Sequence, residues 1–253
     1  MHLQHASAET AAMNRAPAGS VRVGYVVTVV AAVVLLARPA PAQPASARSL
    51  FMKAHFSEAI VMHDAVARGD LAAAQAQAQR LAEHRPDVPF PTGAQAFFGL
   101  MTIEAGKVRQ AKTIERAASE TATLLSRCGQ CHEAMHAQSA IPVTPAPAVG
   151  GVVGQMLAHQ RAADWLLAGL IGPSTSAWNE GTRAFAQLRL DPPAMPTRQL
   201  AERARVANAR AQSLSATAAK AVVRAERAQA YGRILASCAR CHQQNPGVWG
   251  PQR

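Results

Sequence analysis

The chain has 253 residues, which is enough for one large domain or for two domains of about 100 to 120 residues. Much of its apolar content is alanine and only 4% of its residues are aromatic, so the composition favours helices and nearly excludes an all-β fold. The formal charge is +11, yet charged residues reach only 16%, which is not the composition of a disordered chain.

Residues 1–42 have the pattern of a secretory signal peptide. Arg15 and Arg22 precede an uninterrupted run of small and apolar residues from Val23 to Ala37, and an A-x-A cleavage site ends at Ala42. The alternative is a retained membrane anchor, but this run falls short of the roughly 20 residues that a spanning helix needs. We therefore expect cleavage after Ala42, a periplasmic protein and no stable membrane anchor.

The rest of the chain is predicted to contain two similar sets of four helices. In the first set, Gly69 ends one helix and Asp70 caps the next, and Gly106 is expected to separate the last two. In the second set, Thr197 is expected to cap the first of two long helices. The predicted helices are about 49–67, 71–84, 94–105 and 107–137, then about 153–170 and 175–189, and two more after Thr197.

A segment rich in proline and glycine, residues 139–151, separates the two sets and is predicted to be a linker. The expected modules are residues 43–138 and residues 152–253, which we call the first half and the second half. Their charges differ, since the chain carries a net +1 from residue 43 to 150 and a net +8 from residue 151 to the end. The second half is the basic one.

The four cysteines form two identical blocks, Cys128-Gly129-Gln130-Cys131-His132 and Cys238-Ala239-Arg240-Cys241-His242. C-x-x-C-H is the attachment pattern of c-type haem. Cysteines three residues apart lie on one face of a helix, which suits two thioether bonds to the haem vinyl groups. We therefore predict two covalently bound haem c groups, with His132 and His242 as iron ligands.

A zinc site and a redox dithiol are the other uses of cysteines at this spacing. A Cys₄ zinc site would join pairs that lie 110 residues apart, and it would leave each following histidine unexplained. A thioredoxin-like dithiol needs a βαβ setting, and the sequence lacks the alternation of a strand. Covalent haem at both motifs is the interpretation that accounts for every cysteine.

A second repeat lies upstream of each motif. Met52-Lys53-Ala54-His55 recurs as Met156-Leu157-Ala158-His159, 76 and 82 residues before the first cysteine of the corresponding motif. In each copy the methionine and the histidine are three residues apart and share one helical face. We favour His55 and His159 as the second iron ligands, with Met52 and Met156 as the alternatives.

The position of each motif, near the end of the last of four helices, resembles the class II cytochromes c, the cytochrome c-prime family. The segment Arg48-Ser49-Leu50-Phe51-Met52-Lys53 is also similar to the R-x-x-x-M-K start of low-spin members, in which that methionine ligates iron. The second copy departs from this pattern at Val152 and Leu157. The resemblance implies an all-α chain of two tandem four-helix bundles, each carrying one covalent haem c.

The expected function is one-electron transfer by a periplasmic dihaem cytochrome c. Binding or sensing of NO, CO or O₂ at an open iron site is the alternative, and a dihaem peroxidase ranks last because no acid or base group can be assigned to it. We expect an electron carrier more than an enzyme. Its partner is expected to be an acidic redox protein that docks on the basic second half, and not nucleic acid. The basic residues expected on the last two helices are Arg203, Arg205, Arg210, Lys220, Arg224, Arg227 and Arg233.

Overall fold

The computed structural model describes residues 46–137, 139, 141–189 and 197–244. These residues contain eight α-helices and no strand, which confirms the predicted all-α class. The predicted signal peptide lies outside the described residues. The helices are α1 (Ala47–Ala67), α2 (Leu71–Glu83), α3 (Ala94–Gln110), α4 (Ile114–Ala134), α5 (Gly151–Ile171), α6 (Thr175–Gln187), α7 (Arg198–Ala218) and α8 (Arg224–Gln244).

Short polar side chains begin most of these helices. In each case the side-chain oxygen of the N-cap residue accepts a hydrogen bond from the backbone N–H three residues later, at 2.9 to 3.2 Å. Such a cap contributes about 1 kcal/mol because it satisfies an N–H that has no partner inside the helix. The predicted caps Asp70 and Thr197 are confirmed. The five N-cap residues are Ser46, Asp70, Thr113, Ser174 and Thr197.

The predicted break at Gly106 is wrong. Helix α3 continues through Gly106 to Gln110, and the boundary lies at Thr113, whose hydroxyl caps α4. A glycine inside a helix costs only about 1 kcal/mol relative to alanine. The buried residues Ala105 and Val108 on either side of Gly106 hold the helix together against that cost.

Within each half the helices pack in chain order and the first also contacts the fourth. Thus α1 contacts α2 and α4, and α5 contacts α6 and α8. Across the halves, α4 packs extensively on α8, α1 also contacts α8, and α5 also contacts α4. One cluster of buried apolar residues includes side chains from all eight helices, so these helices form one compact unit.

Helices α4 and α8 are antiparallel. Arg224 at the start of α8 pairs with Glu133 at the end of α4, and Arg240 near the end of α8 pairs with Glu115 at the start of α4, at 2.9 Å. Between these pairs, Gly232 allows close approach, since a Cβ on it would lie 3.1 Å from the Cα of Ser119. The two C-x-x-C-H motifs therefore lie at opposite ends of the helix pair, roughly 25 Å apart along its axis at 1.5 Å per residue.

The segment before α5 is attached to that helix. The backbone N–H of Thr144 donates to the carboxylate of Asp164 at 2.8 Å, and Arg161 donates to the carbonyl of Thr144 at 2.7 Å. The predicted linker thus runs along α5, and Ile141 packs against the main core. None of the described helices combines the length and the hydropathy of a membrane span.

Candidate functional site

Both C-x-x-C-H motifs lie near the C-terminal end of a helix, the first on α4 and the second on α8, as the sequence predicts. None of the four cysteines forms a disulfide. Burial, and secondly the neighbouring cysteine of the pair, raises the pKa of Cys128 and of Cys238 to about 12. The first sulfur of each motif is therefore a thiol in contact with the protein interior.

The histidine of each motif is oriented by a backbone carbonyl. Nδ1 of His132 lies 2.9 Å from the carbonyl oxygen of Ile171, and Nδ1 of His242 lies 2.8 Å from that of Ala67. Because a carbonyl only accepts, Nδ1 carries the proton in both rings, and Nε2 carries the lone pair of the neutral form. This is the arrangement in which a histidine ligates a metal through one nitrogen while the other donates to the protein.

The first site faces the N-terminal part of α1, where His55 is buried among aromatic rings. Its ring centroid lies 5.7 Å from that of Phe51, 5.4 Å from that of His84 and 5.9 Å from that of Phe98. Burial, with a smaller contribution from His84, lowers the pKa of His55 to about 4. The ring is therefore neutral at pH 7, and its Nδ1 is buried without a hydrogen-bond partner in the structure.

Cys128 belongs to the same apolar cluster as these rings. Its sulfur lies 3.7 Å from the sulfur of Met101, and Met101 packs with Phe51 and Phe98. Met52 and Phe90 cover the edge of this cluster, which we call the first-site cluster. The structure therefore brings together Cys128, His55 and Met52, three residues that the sequence predicted for one haem site.

The second site is similar in plan and has fewer aromatic neighbours among the residues that the structure describes. Burial, with a smaller contribution from His242, lowers the pKa of His159 to about 4, so the two predicted ligands of this site lie close enough to influence each other. Among the described residues, the aromatic ring nearest to His159 is that of Phe185, at 6.3 Å between centroids. Nε2 of His159 is buried without a hydrogen-bond partner, and Met156 is half-buried one turn earlier.

Two other histidines, His63 and His84, have no counterpart in the sequence repeat. His84 contacts His55, and its ring lies 4.8 Å from that of Phe51. His63 is buried, and its ring bonds the hydroxyl of Tyr231 at 2.8 Å and the carboxylate of Asp64 at 2.9 Å. No sequence signal pointed to either contact, because both partners are distant in the chain or lie in the opposite half.

The expected basic residues of the second half divide into two groups. Arg224 contacts Glu133 and the carbonyl of Leu170, and Arg227 lies over the ring of Trp178 at 5.5 Å. These two arginines therefore make contacts inside the protein. The others are exposed, namely Arg203, Arg205, Arg210, Lys220 and Arg233.

The residues of both sites fit a covalently bound haem. Each offers two cysteines one turn apart, a histidine fixed through Nδ1, and a facing imidazole whose buried nitrogen lacks a protein partner. Within the described part of the chain, no three His, Cys, Asp or Glu side chains cluster as a site for a bare metal ion. Comparison with protein-family models, curated proteins and solved structures finds no match to this chain.

Proposed function

We propose that this protein is a periplasmic dihaem cytochrome c that transfers single electrons between redox partners. The observation that carries the proposal is the matching orientation of His132 and His242, each fixed through Nδ1 beside a pair of cysteines on the last helix of its half. The contacts within each half support two tandem four-helix bundles, since α1 to α4 and α5 to α8 each close into a ring.

The chain's own residues would hold each haem from two sides. The thiols of Cys128 and Cys131, and of Cys238 and Cys241, would each add as S–H across a vinyl group, which forms a thioether without any net loss of electrons. His132 and His242 would bind iron through Nε2. When bound, the haem iron supplies a centre that cycles between the ferric and ferrous states and so stores one electron.

His55 and His159 are the proposed second ligands. Both lie on the first helix of their half, and each has a buried nitrogen without a hydrogen-bond partner in the structure. Met52 and Met156, one turn away on the same helices, remain the alternatives. Gas binding at an open iron is the competing function, and the apolar first-site cluster favours it there because a neutral diatomic molecule enters such a pocket without losing hydrogen bonds to water.

The proposed partner is an acidic redox protein that approaches the second site. The start of α7 lies beside the end of α8, because Arg203 donates to the carbonyl of Gln244 at 3.0 Å. Helix α7 also carries exposed Arg198, Arg205 and Arg210, and its single acidic residue, Glu202, pairs with Arg205 at 2.8 Å. A basic face of this kind raises the encounter rate with an acidic partner, and salt weakens the effect.

Denaturing mass spectrometry tests the cofactor, because the cleaved chain should carry the mass of two haems. A variant with both Cys128 and Cys131 replaced by alanine should carry one, and so should the matched variant at Cys238 and Cys241. Optical spectra of the oxidised and reduced protein, with and without CO, then test the function. Two low-spin haems whose spectra do not change with CO support electron transfer, whereas a spectrum of the unaltered protein that changes with CO supports gas binding.

A further inference from the structure

We infer that each half of the chain positions the iron-binding histidine of the other half. His132, in the first half, is bonded to the carbonyl of Ile171 in the second, and His242, in the second half, is bonded to the carbonyl of Ala67 in the first. This inference rests on the proposed function, because it concerns the histidines that would bind haem iron. It makes the ends of α1 and α5 positioning elements for the opposite haem.

The crossed arrangement is reciprocal, and its two acceptors occupy equivalent positions of the sequence repeat. Ala67 and Ile171 are the last residues of α1 and α5, and they are separated by the same 104 residues that separate Met52 from Met156. The carbonyls at a helix C-terminus lack partners inside the helix and form the negative end of its dipole. They are therefore strong acceptors for an imidazole N–H, and both sites use the equivalent one.

Close backbone approach fixes both contacts. A Cβ on Gly69, just beyond the end of α1, would lie 2.5 Å from Cγ of Gln243 and 2.8 Å from the carbonyl oxygen of Ala239. The side chain of Gln243 also donates to the carbonyl of Gly69 at 2.8 Å. On the other side, a Cβ on Gly129 would lie 2.2 Å from the carbonyl oxygen of Leu170. Glycine at these positions allows the helix end to reach the motif histidine.

The contact has a consequence for the redox property of each haem. An imidazole that donates through Nδ1 becomes a stronger electron donor through Nε2, and this stabilises ferric iron relative to ferrous. A displaced helix end would weaken the bond and raise the reduction potential of the haem in the opposite half. Residues of the first half therefore tune the second haem, and the reverse also holds.

The decisive variant is Gly69→Ala in the full-length protein, because Gly69 belongs to the first half and adjoins the second motif. The reduction potential of the second haem should rise by up to about 59 mV. For one electron this corresponds to a tenfold change in the equilibrium constant. The first haem should not change.

Gly106→Ala is the matched control, because a Cβ there meets nothing within 4 Å, and it should move neither haem. Redox titration with paramagnetic NMR gives the two potentials, and the variant without Cys128 and Cys131 assigns the signals of the second haem. A shift confined to the first haem in Gly69→Ala, an equal shift at both haems, or no shift would overturn the inference.

If Gly69→Ala does not fold, a measurement on the unaltered protein still tests the inference. The Nδ1–H protons of ¹⁵N-labelled His132 and His242 should exchange slowly with solvent if both are held by carbonyls, and fast exchange of either would overturn the inference. Mass spectrometry separates this failure from that of the proposed function. A chain that lacks two haems would contradict the proposed function itself. A dihaem chain in which the two sites are independent would contradict only the crossed positioning.

Discussion

The first and the second C-x-x-C-H sites hold their motif histidine in the same way but surround the facing histidine differently. His55 lies among Phe51, Phe98 and His84, whereas the ring nearest to His159 in the described part of the chain is that of Phe185. The position equivalent to His84 is Leu188, and both are the C-cap residues of their helices. The main-chain contact at the motif is thus the same in both copies, while the side chains opposite it have diverged.

The largest expected effect comes from removing the facing histidines. His55→Ala should convert the first haem to a high-spin form that binds CO, and His159→Ala should do so at the second, because each variant removes the proposed sixth ligand. Optical and electron paramagnetic resonance spectra measure the change, which is all-or-none at the affected site. Met52→Ala and Met156→Ala are the comparison variants. If only the methionine variants have this effect, the ligand sets are His/Met; if none of the four does, the sites are open.

Charge reversal on α7 tests whether the contrast in charge between the halves affects electron exchange. Arg205→Glu with Arg210→Glu should slow reduction of the second haem by a small anionic reagent several-fold at low salt, since the basic face attracts anions, and it should flatten the salt dependence. Stopped-flow absorbance gives the rates. Arg109→Glu with Lys112→Glu, an equal change of charge at exposed positions of the first half, is the control. Equal losses from both double variants would show that net charge alone, and no docking face, governs the rate.

The contact between α1 and α8 contains a polar pair that the equivalent contact of α5 with α4 lacks. His63 and Tyr231 correspond in the repeat to Leu167 and Thr121. Tyr231→Phe should lower the free energy of unfolding by about 1–3 kcal/mol, because it leaves a buried ring nitrogen of His63 without its partner. Urea unfolding measures the loss. Combining it with His63→Leu should recover much of that loss, and a double variant as unstable as the sum of both single changes would contradict this account.

The smallest effect is expected at the ion pair between Arg240 and Glu115. Both side chains are substantially exposed, at 38% and 44%, so Glu115→Gln should cost less than about 1 kcal/mol. The hydrogen bond from Arg240 is the main cause that lowers the pKa of Glu115. A lowered pKa means that the pair's contribution is present above the ordinary pKa of glutamate and is lost as the pH falls through the lowered value. Unfolding at pH 7 and at pH 3 should therefore differ less in the variant than in the unaltered chain, and an unchanged difference would show that the pair contributes nothing.

Local patterns in the sequence determined the helices, the caps and the spacing of both motifs. Asp70 and Thr197 could be identified as caps because an N-cap bond closes over three residues, and the cysteines of each motif share a helical face because they are three apart. The repeat of Met52 and His55 was likewise visible in the sequence. The break expected at Gly106 failed because a glycine is a weak breaker when buried neighbours hold the helix.

The tertiary structure alone decided which residues meet across long separations. Ala67 lies 175 residues from His242, and His63 lies 168 residues from Tyr231. Such contacts depend on the angle and register at which the helices pack, and no local period of the sequence encodes these. The internal contacts of Arg224 and Arg227 could not be predicted from the sequence for the same reason, because their partners lie on other helices. The local sequence therefore specified the helices and the cysteine motifs. The packing of the two halves decided that each motif histidine would bond to a carbonyl of the other half.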